Sequence, residues 1–139
     1  VKGFSHIHAW QLSGLSVMPV TISEENKGNI FTEFYSKFSH ETEKVAPGYH
    51  KVELDRYHVT AELASTKRVG FHRYAFPENS QAAILFNLNT VLGPCRNING
   101  ILEKTGDSEL SGKLDCASTS RRPKPVSYTH LTLPTSDLV

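Results

Sequence analysis

Residues 49–76 read YHKVELDRYHVTAELASTKRVGFHRYAF, and the periodicity of this stretch decides the fold. Val52 and Leu54 alternate with polar neighbours, and Asp55-Arg56 is a turn signal. Val59, Ala61 and Leu63 then share one face, with His58, Thr60 and Glu62 on the other. After a polar break, Val69, Phe71 and Arg73 alternate with Gly70, His72 and Tyr74. Side chains of a strand point alternately to opposite faces, so this pattern predicts an antiparallel meander.

Outward from this stretch the signals stay short and strand-like. Upstream, Pro47-Gly48 marks a turn. Phe31, Phe34, Tyr35 and Phe38 recur at spacings of three and four, which fits either one short helix or a strand with an aromatic face. Residues 22–29 read as a polar loop, and residues 4–21 as a strand, a loop around Gly14 and a second strand ending near Pro19. Downstream, residues 77–80 (PENS) form a turn, and residues 82–88 (AAILFNL) are expected to be a central buried strand. Residues 100–103 and 109–114 flank Gly106-Asp107 as a hairpin. Many short strands with no helix alternation predict an all-β sandwich or barrel.

Bulk composition bounds the function. At 139 residues the chain holds one domain at most. Fifteen basic residues against fourteen acidic ones argue against an electrostatic nucleic-acid or membrane partner. The 38% hydrophobic share allows a modest core, and no run approaches the roughly 18 apolar residues of a membrane span. Cys95 and Cys116 form one disulfide or none and fit no zinc spacing. Val1 opens the chain with neither Met nor signal peptide, and residues 1–10 read like the middle of a domain, so a fragment is expected.

The chemistry-bearing residues are few. No acids stand out as a general acid/base pair: Glu41 and Glu43 sit in a polar turn, and Glu53, Asp55 and Glu62 read as solvated surface acids. His6, His8 and Trp10 would project from one face of an extended chain, where imidazoles bond hydroxyls and an indole stacks on a pyranose. These three are the candidate substrate-binding residues. Two imidazoles lack a third ligand, and calcium prefers oxygen, so no metal site is expected there. Ser5 and Ser13 stand near histidines without a G-x-S-x-G elbow. His40 and His72 are expected to be hydrogen-bonded within or beneath a sheet, and Arg68 or Arg73 to pair with Glu62 or Glu53 across strands. Arg121, Arg122 and Lys124 are expected on a solvated edge.

Five segments, in order, resemble the N-terminal domain of glycoside hydrolase family 92, the calcium-dependent α-mannosidases. They are GFSHIHAWQLSGLSVMPV (3–20), FSHETEKVAPGY (38–49), YHVTAELASTKRVGFHRYAFP (57–77), ILFNLNTVLGP (84–94) and SRRPKP (120–125). His50, Lys67 and the DCAS stretch at 115–118 depart from the family pattern. The resemblance implies an exo-acting, inverting α-mannosidase in which an antiparallel β-sandwich, incomplete here, packs against an (α/α)6 barrel. It implies α-mannoside oligosaccharides or N-glycans as substrate, and a periplasmic, cell-surface or secreted address. The catalytic carboxylates and the calcium belong to the barrel, so this chain alone is expected to be inactive. A free-standing carbohydrate-binding sandwich is the alternative, and a fragment that never exists as a protein is a third reading.

Residues 126–135, VSYTHLTLPT, resemble a translated sequencing-library adapter, although the string is also an ordinary Thr-rich strand former. Residues 1–125 are therefore read as a partial sandwich domain and 126–139 as a non-native tail, with no role for Tyr128 or His130.

Overall fold

The computed structural model describes residues 1–4, 15–67, 69–89, 91–92, 95–118 and 126–132. Its strands are β1 (Ser16–Ile22), β2 (Lys44–Ala46), β3 (Tyr49–Leu54), β4 (Val59–Ser65), β5 (Gly70–Ala75), β6 (Gln81–Asn87), β7 (Val91–Leu92), β8 (Cys95–Gly106), β9 (Glu109–Ser118) and β10 (Val126–Thr132). There is no helix among the described residues, and so none that is long and apolar enough to cross a membrane. The chain divides into two compact units, Val1–Phe4 with Val17–Phe86, and Ser5–Ser16 with Asn87–Val139.

The first unit is built on the meander. Strands β2, β3, β4 and β5 pair antiparallel in chain order. The register Val52↔Ala61↔Tyr74, with Leu54↔Val59 beside it, puts the apolar residues of successive strands on one face. Pro47-Gly48 closes β2 onto β3, and Gly48 takes φ 72°, which a side chain would resist. Residues 55–58 join β3 to β4, with His58 at φ 52°. Strand β1 lies beside β6 in a second sheet. Met18 and Val20 of β1 join Phe4, Ile30, Val52, Leu54, Tyr57, Val59 and Ala61 in one buried cluster, with Ala83 and Leu85 of β6 packed against it. The β1–β6 pair thus covers the apolar face of the meander, giving a two-layer sandwich. Each fully buried aliphatic side chain contributes about 1.5–3 kcal/mol.

Two expectations change, for β6 and for residues 30–38, and the inward face of β5, which the sequence left open, is decided. Strand β6 is an edge of a two-stranded sheet, with no fully buried residue, rather than a central buried strand. Only one of its faces meets the core, and Ala83 and Leu85 lie on it. Val69 and Phe71 are 50% and 58% exposed. The register pairs His72 with Leu63 and Tyr74 with Ala61, which turns Phe71 and Arg73 outward. Residues 30–38 are neither helix nor strand: turns run to residue 32 and an unpaired stretch follows. There Phe34 and Phe38 pack against the core while Ser36 exchanges backbone hydrogen bonds with Val1, at 2.9 and 2.6 Å.

In the second unit, β7, β8, β9 and β10 form one antiparallel sheet. The expected hairpin is present, with Gly106↔Glu109 closing a two-residue loop, and its strands are longer than the sequence pattern suggests. An irregularity between Ile98 and Ile101, with Asn99 at φ 51°, explains why the period-two signal is broken there. Strand β10 falls in the adapter-like string and pairs from Val126↔Asp115 to Thr132↔Glu109, which its β-propensity permits whatever its origin.

Candidate functional site

His6, His8 and Trp10 lie outside the described residues, as do Ser5, Ser13, Arg68 and the basic run at 121–124. What is described is the anchor on either side of the first of these segments. Phe4 and Val17 exchange both backbone hydrogen bonds, Phe4 N–H donating to the Val17 carbonyl at 2.7 Å and Val17 N–H to the Phe4 carbonyl at 2.9 Å. Phe4 is buried, with its ring stacked near Tyr74 (6.3 Å, 29°) and edge-on to His72 (6.4 Å, 84°). The Tyr74 hydroxyl is 2.5 Å from His72 Nδ1, and burial pushes the Tyr74 phenol well above its ordinary value. His72 therefore sits beneath the sheet as expected.

Two acids read as solvated are tightly partnered. Glu43, just before β2, places Oε2 2.5 Å from His40 Nδ1 and Oε1 2.8 Å from His50 Nε2. Those two hydrogen bonds hold its carboxyl below the usual range. On the outer face of the meander, the Tyr49 hydroxyl donates to Glu62 Oε1 at 2.6 Å and Arg73 Nε donates to Oε2 at 2.6 Å. The bonds from Tyr49 and then Arg73 hold the Glu62 carboxyl low, and the Tyr49 phenol is raised by the same carboxylate. The Arg73–Glu62 pairing is one of the four combinations that the sequence left open, Arg68 or Arg73 with Glu62 or Glu53. Both shifted carboxyls are pushed toward the ionised form, opposite to what a general acid needs. Among the described residues no three His, Cys, Asp or Glu side chains are grouped to hold a metal ion.

A third arrangement is concave. Glu33, Tyr35 and Lys37 alternate along the unpaired stretch, and with Asp55 and Arg56 of the β3–β4 turn they line an open depression of about 410 Å³. The walls are tied together. Asp55 N–H donates to the Lys37 carbonyl at 3.1 Å, and Arg56 N–H donates to Ser36 Oγ at 3.0 Å. The Arg56 guanidinium donates through Nη1 to the Glu33 carbonyl and lies between two rings, 5.6 Å from the Tyr35 centroid and 5.7 Å from that of Tyr57. Sequence reasoning missed this site. The signal was the alternation of Glu33, Tyr35 and Lys37 with Phe34, Ser36 and Phe38, which the ambiguous aromatic spacing hid.

A family model for the glycosyl hydrolase family 92 N-terminal domain matches residues 1–133. The chain belongs to glycosyl hydrolase family 92. This family 92 domain is also similar to the solved α-mannosidase BT3965 of Bacteroides thetaiotaomicron, at 25% identity and TM-score 0.69 over 82% of the chain. It is equally similar, at 25% identity and TM-score 0.69, to the structure of that enzyme in complex with mannoimidazole. The chain spans 16% and 15% of the length of those two solved chains. No curated protein matches it.

Proposed function

We propose that this family 92 domain is the N-terminal sandwich of an exo-acting, inverting α-mannosidase that cleaves α-mannosidic bonds of mannans or N-glycans. The observation that carries the reading is the family match over residues 1–133, together with likeness to an α-mannosidase solved with mannoimidazole. His6, His8 and Trp10 supply the sandwich's contribution to the substrate cleft, with Trp10 stacking on a pyranose and the imidazoles bonding its hydroxyls. The Glu43 and Glu62 carboxyls are both held low, which does not suit a general acid; by family resemblance the inverting acid and base, roughly 6.5–9.5 Å apart, are assigned to a barrel domain. Calcium is assigned to the same place. By family resemblance the enzyme works in the periplasm, at the cell surface or outside the cell.

Turnover and binding test different parts of this reading. The 139-residue chain, incubated with α1,2-mannobiose, is expected to release no mannose; measurable release would return catalysis to this chain. Titration with methyl α-D-mannopyranoside, followed by amide shifts, is expected to perturb residues 6–10 and to weaken in Trp10→Ala by about tenfold. Unchanged affinity in Trp10→Ala would remove the cleft assignment.

A further inference from the structure

We propose that the depression between residues 33–37 and the β3–β4 turn is a secondary carbohydrate site, which takes a neutral pyranoside against the ring of Tyr35. Its volume of about 410 Å³ falls in the range of small-ligand sites. Phe34 and Phe38 face the core, and alternation hands Glu33, Tyr35 and Lys37 to the depression. Tyr35 is 52% exposed even with Arg56 over its ring, so ring surface stays open to a ligand.

The charges select the ligand. Glu33 and Asp55 oppose Lys37 and Arg56, two negative groups against two positive ones. An anion meets two carboxylates beside the two cationic groups, and a cation meets an ammonium and a guanidinium beside the two carboxylates, so neither gains a net attraction and each faces like charge. A neutral, hydroxyl-rich ligand meets neither penalty. Its hydroxyls donate to the carboxylates and accept from Lys37, while its C–H face lies on the tyrosine ring. The site is also preorganised. Arg56 is committed to the Glu33 carbonyl, and the backbone of the turn is bonded to residues 36 and 37. A ligand then orders little beyond the ends of Glu33, Lys37 and Asp55. The site stands apart from the segment of His6, His8 and Trp10 in sequence, and its role is to hold a glycan without cleaving it. Only the choice of a mannose probe rests on the mannosidase reading.

The test is an amide-shift titration of the 139-residue chain with α1,2-mannobiose, maltose and inorganic phosphate. A sugar is expected to shift the amides of residues 33–37 and 55–56, with a dissociation constant on the order of millimolar. Tyr35→Ala is expected to weaken that binding about tenfold and Lys37→Ala by a smaller factor, while Phe31→Ala, exposed but outside the depression, leaves it unchanged. Shifts here with maltose but not mannobiose support the site, with a glucoside as its ligand in place of a mannoside. Loss of shifts at residues 6–10 alone strikes the cleft assignment and leaves this site standing. No shift at residues 33–56 with either sugar overturns the proposal. So does undiminished affinity in both Tyr35→Ala and Lys37→Ala, or tighter binding of phosphate than of either sugar.

Discussion

Glu62 shows how a surface acid becomes structural. Its two oxygens are claimed by the Tyr49 hydroxyl and by Arg73 Nε, tying β3, β4 and β5 together across the outer face. The carboxyl is held below its ordinary 4.5, so folding favours the ionised form. A group with a depressed folded value stabilises the fold above the unfolded value, and that contribution is lost as pH falls through the folded one. Glu43 behaves in the same way beside His40 and His50. Melting temperature followed from pH 7 to about 3 is therefore expected to fall less steeply in Glu62→Gln than in the unchanged chain. An unaltered acid slope would show that Glu62 contributes no such linkage. In the sequence, Glu62 was recognisable as an outward residue and Arg73 as one of two candidate partners, beside Arg68. The bond from Tyr49, thirteen residues away, follows only from the register that sets the two side chains near one another.

At the scale of elements, the long β8–β9 hairpin depends on two glycines at close backbone approaches. A Cβ on Gly112 would stand 2.7 Å from the Ile101 carbonyl and 3.0 Å from Leu102 Cδ1. One on Gly100 would meet Leu88 Cβ at 2.8 Å and Leu114 Cδ2 at 2.9 Å. The neighbour of Gly112 is backbone, which cannot turn aside as a flexible side chain does. Gly112→Ala is expected to destabilise the hairpin by about 1–3 kcal/mol, read from chemical denaturation. A change within about 0.5 kcal/mol would mean that the strands part easily here. The hairpin itself was legible around Gly106-Asp107. Its length was not, because the irregularity between Ile98 and Ile101 interrupts the alternation that identifies a strand.

At the scale of the molecule, two compact units imply two sets of local stabilities. Leu54 is fully buried in the first unit, among Val52, Val59 and Tyr57. Leu54→Ala is expected to cost about 3 kcal/mol through lost burial and the cavity left behind. Hydrogen exchange is expected to quicken in β3, β4 and β5 well beyond any change in β8 and β9. Equal acceleration in both would show that the units unfold as one.

The sequence by itself determined the meander and the family, because side-chain alternation and ordered local motifs are properties of neighbours along the chain. It determined the turns at 47–48 and 106–108 for the same reason. The tertiary structure alone decided which face of β5 points inward, that β6 is an edge paired with β1, and that residues 33–37 alternate between core and depression. Each of these depends on a partner distant in the chain: Leu63 opposite His72, β1 beside β6, and Val1 bonded to Ser36. A pattern of single residues does not encode that pairing until the core closes and burial selects one register over its neighbour.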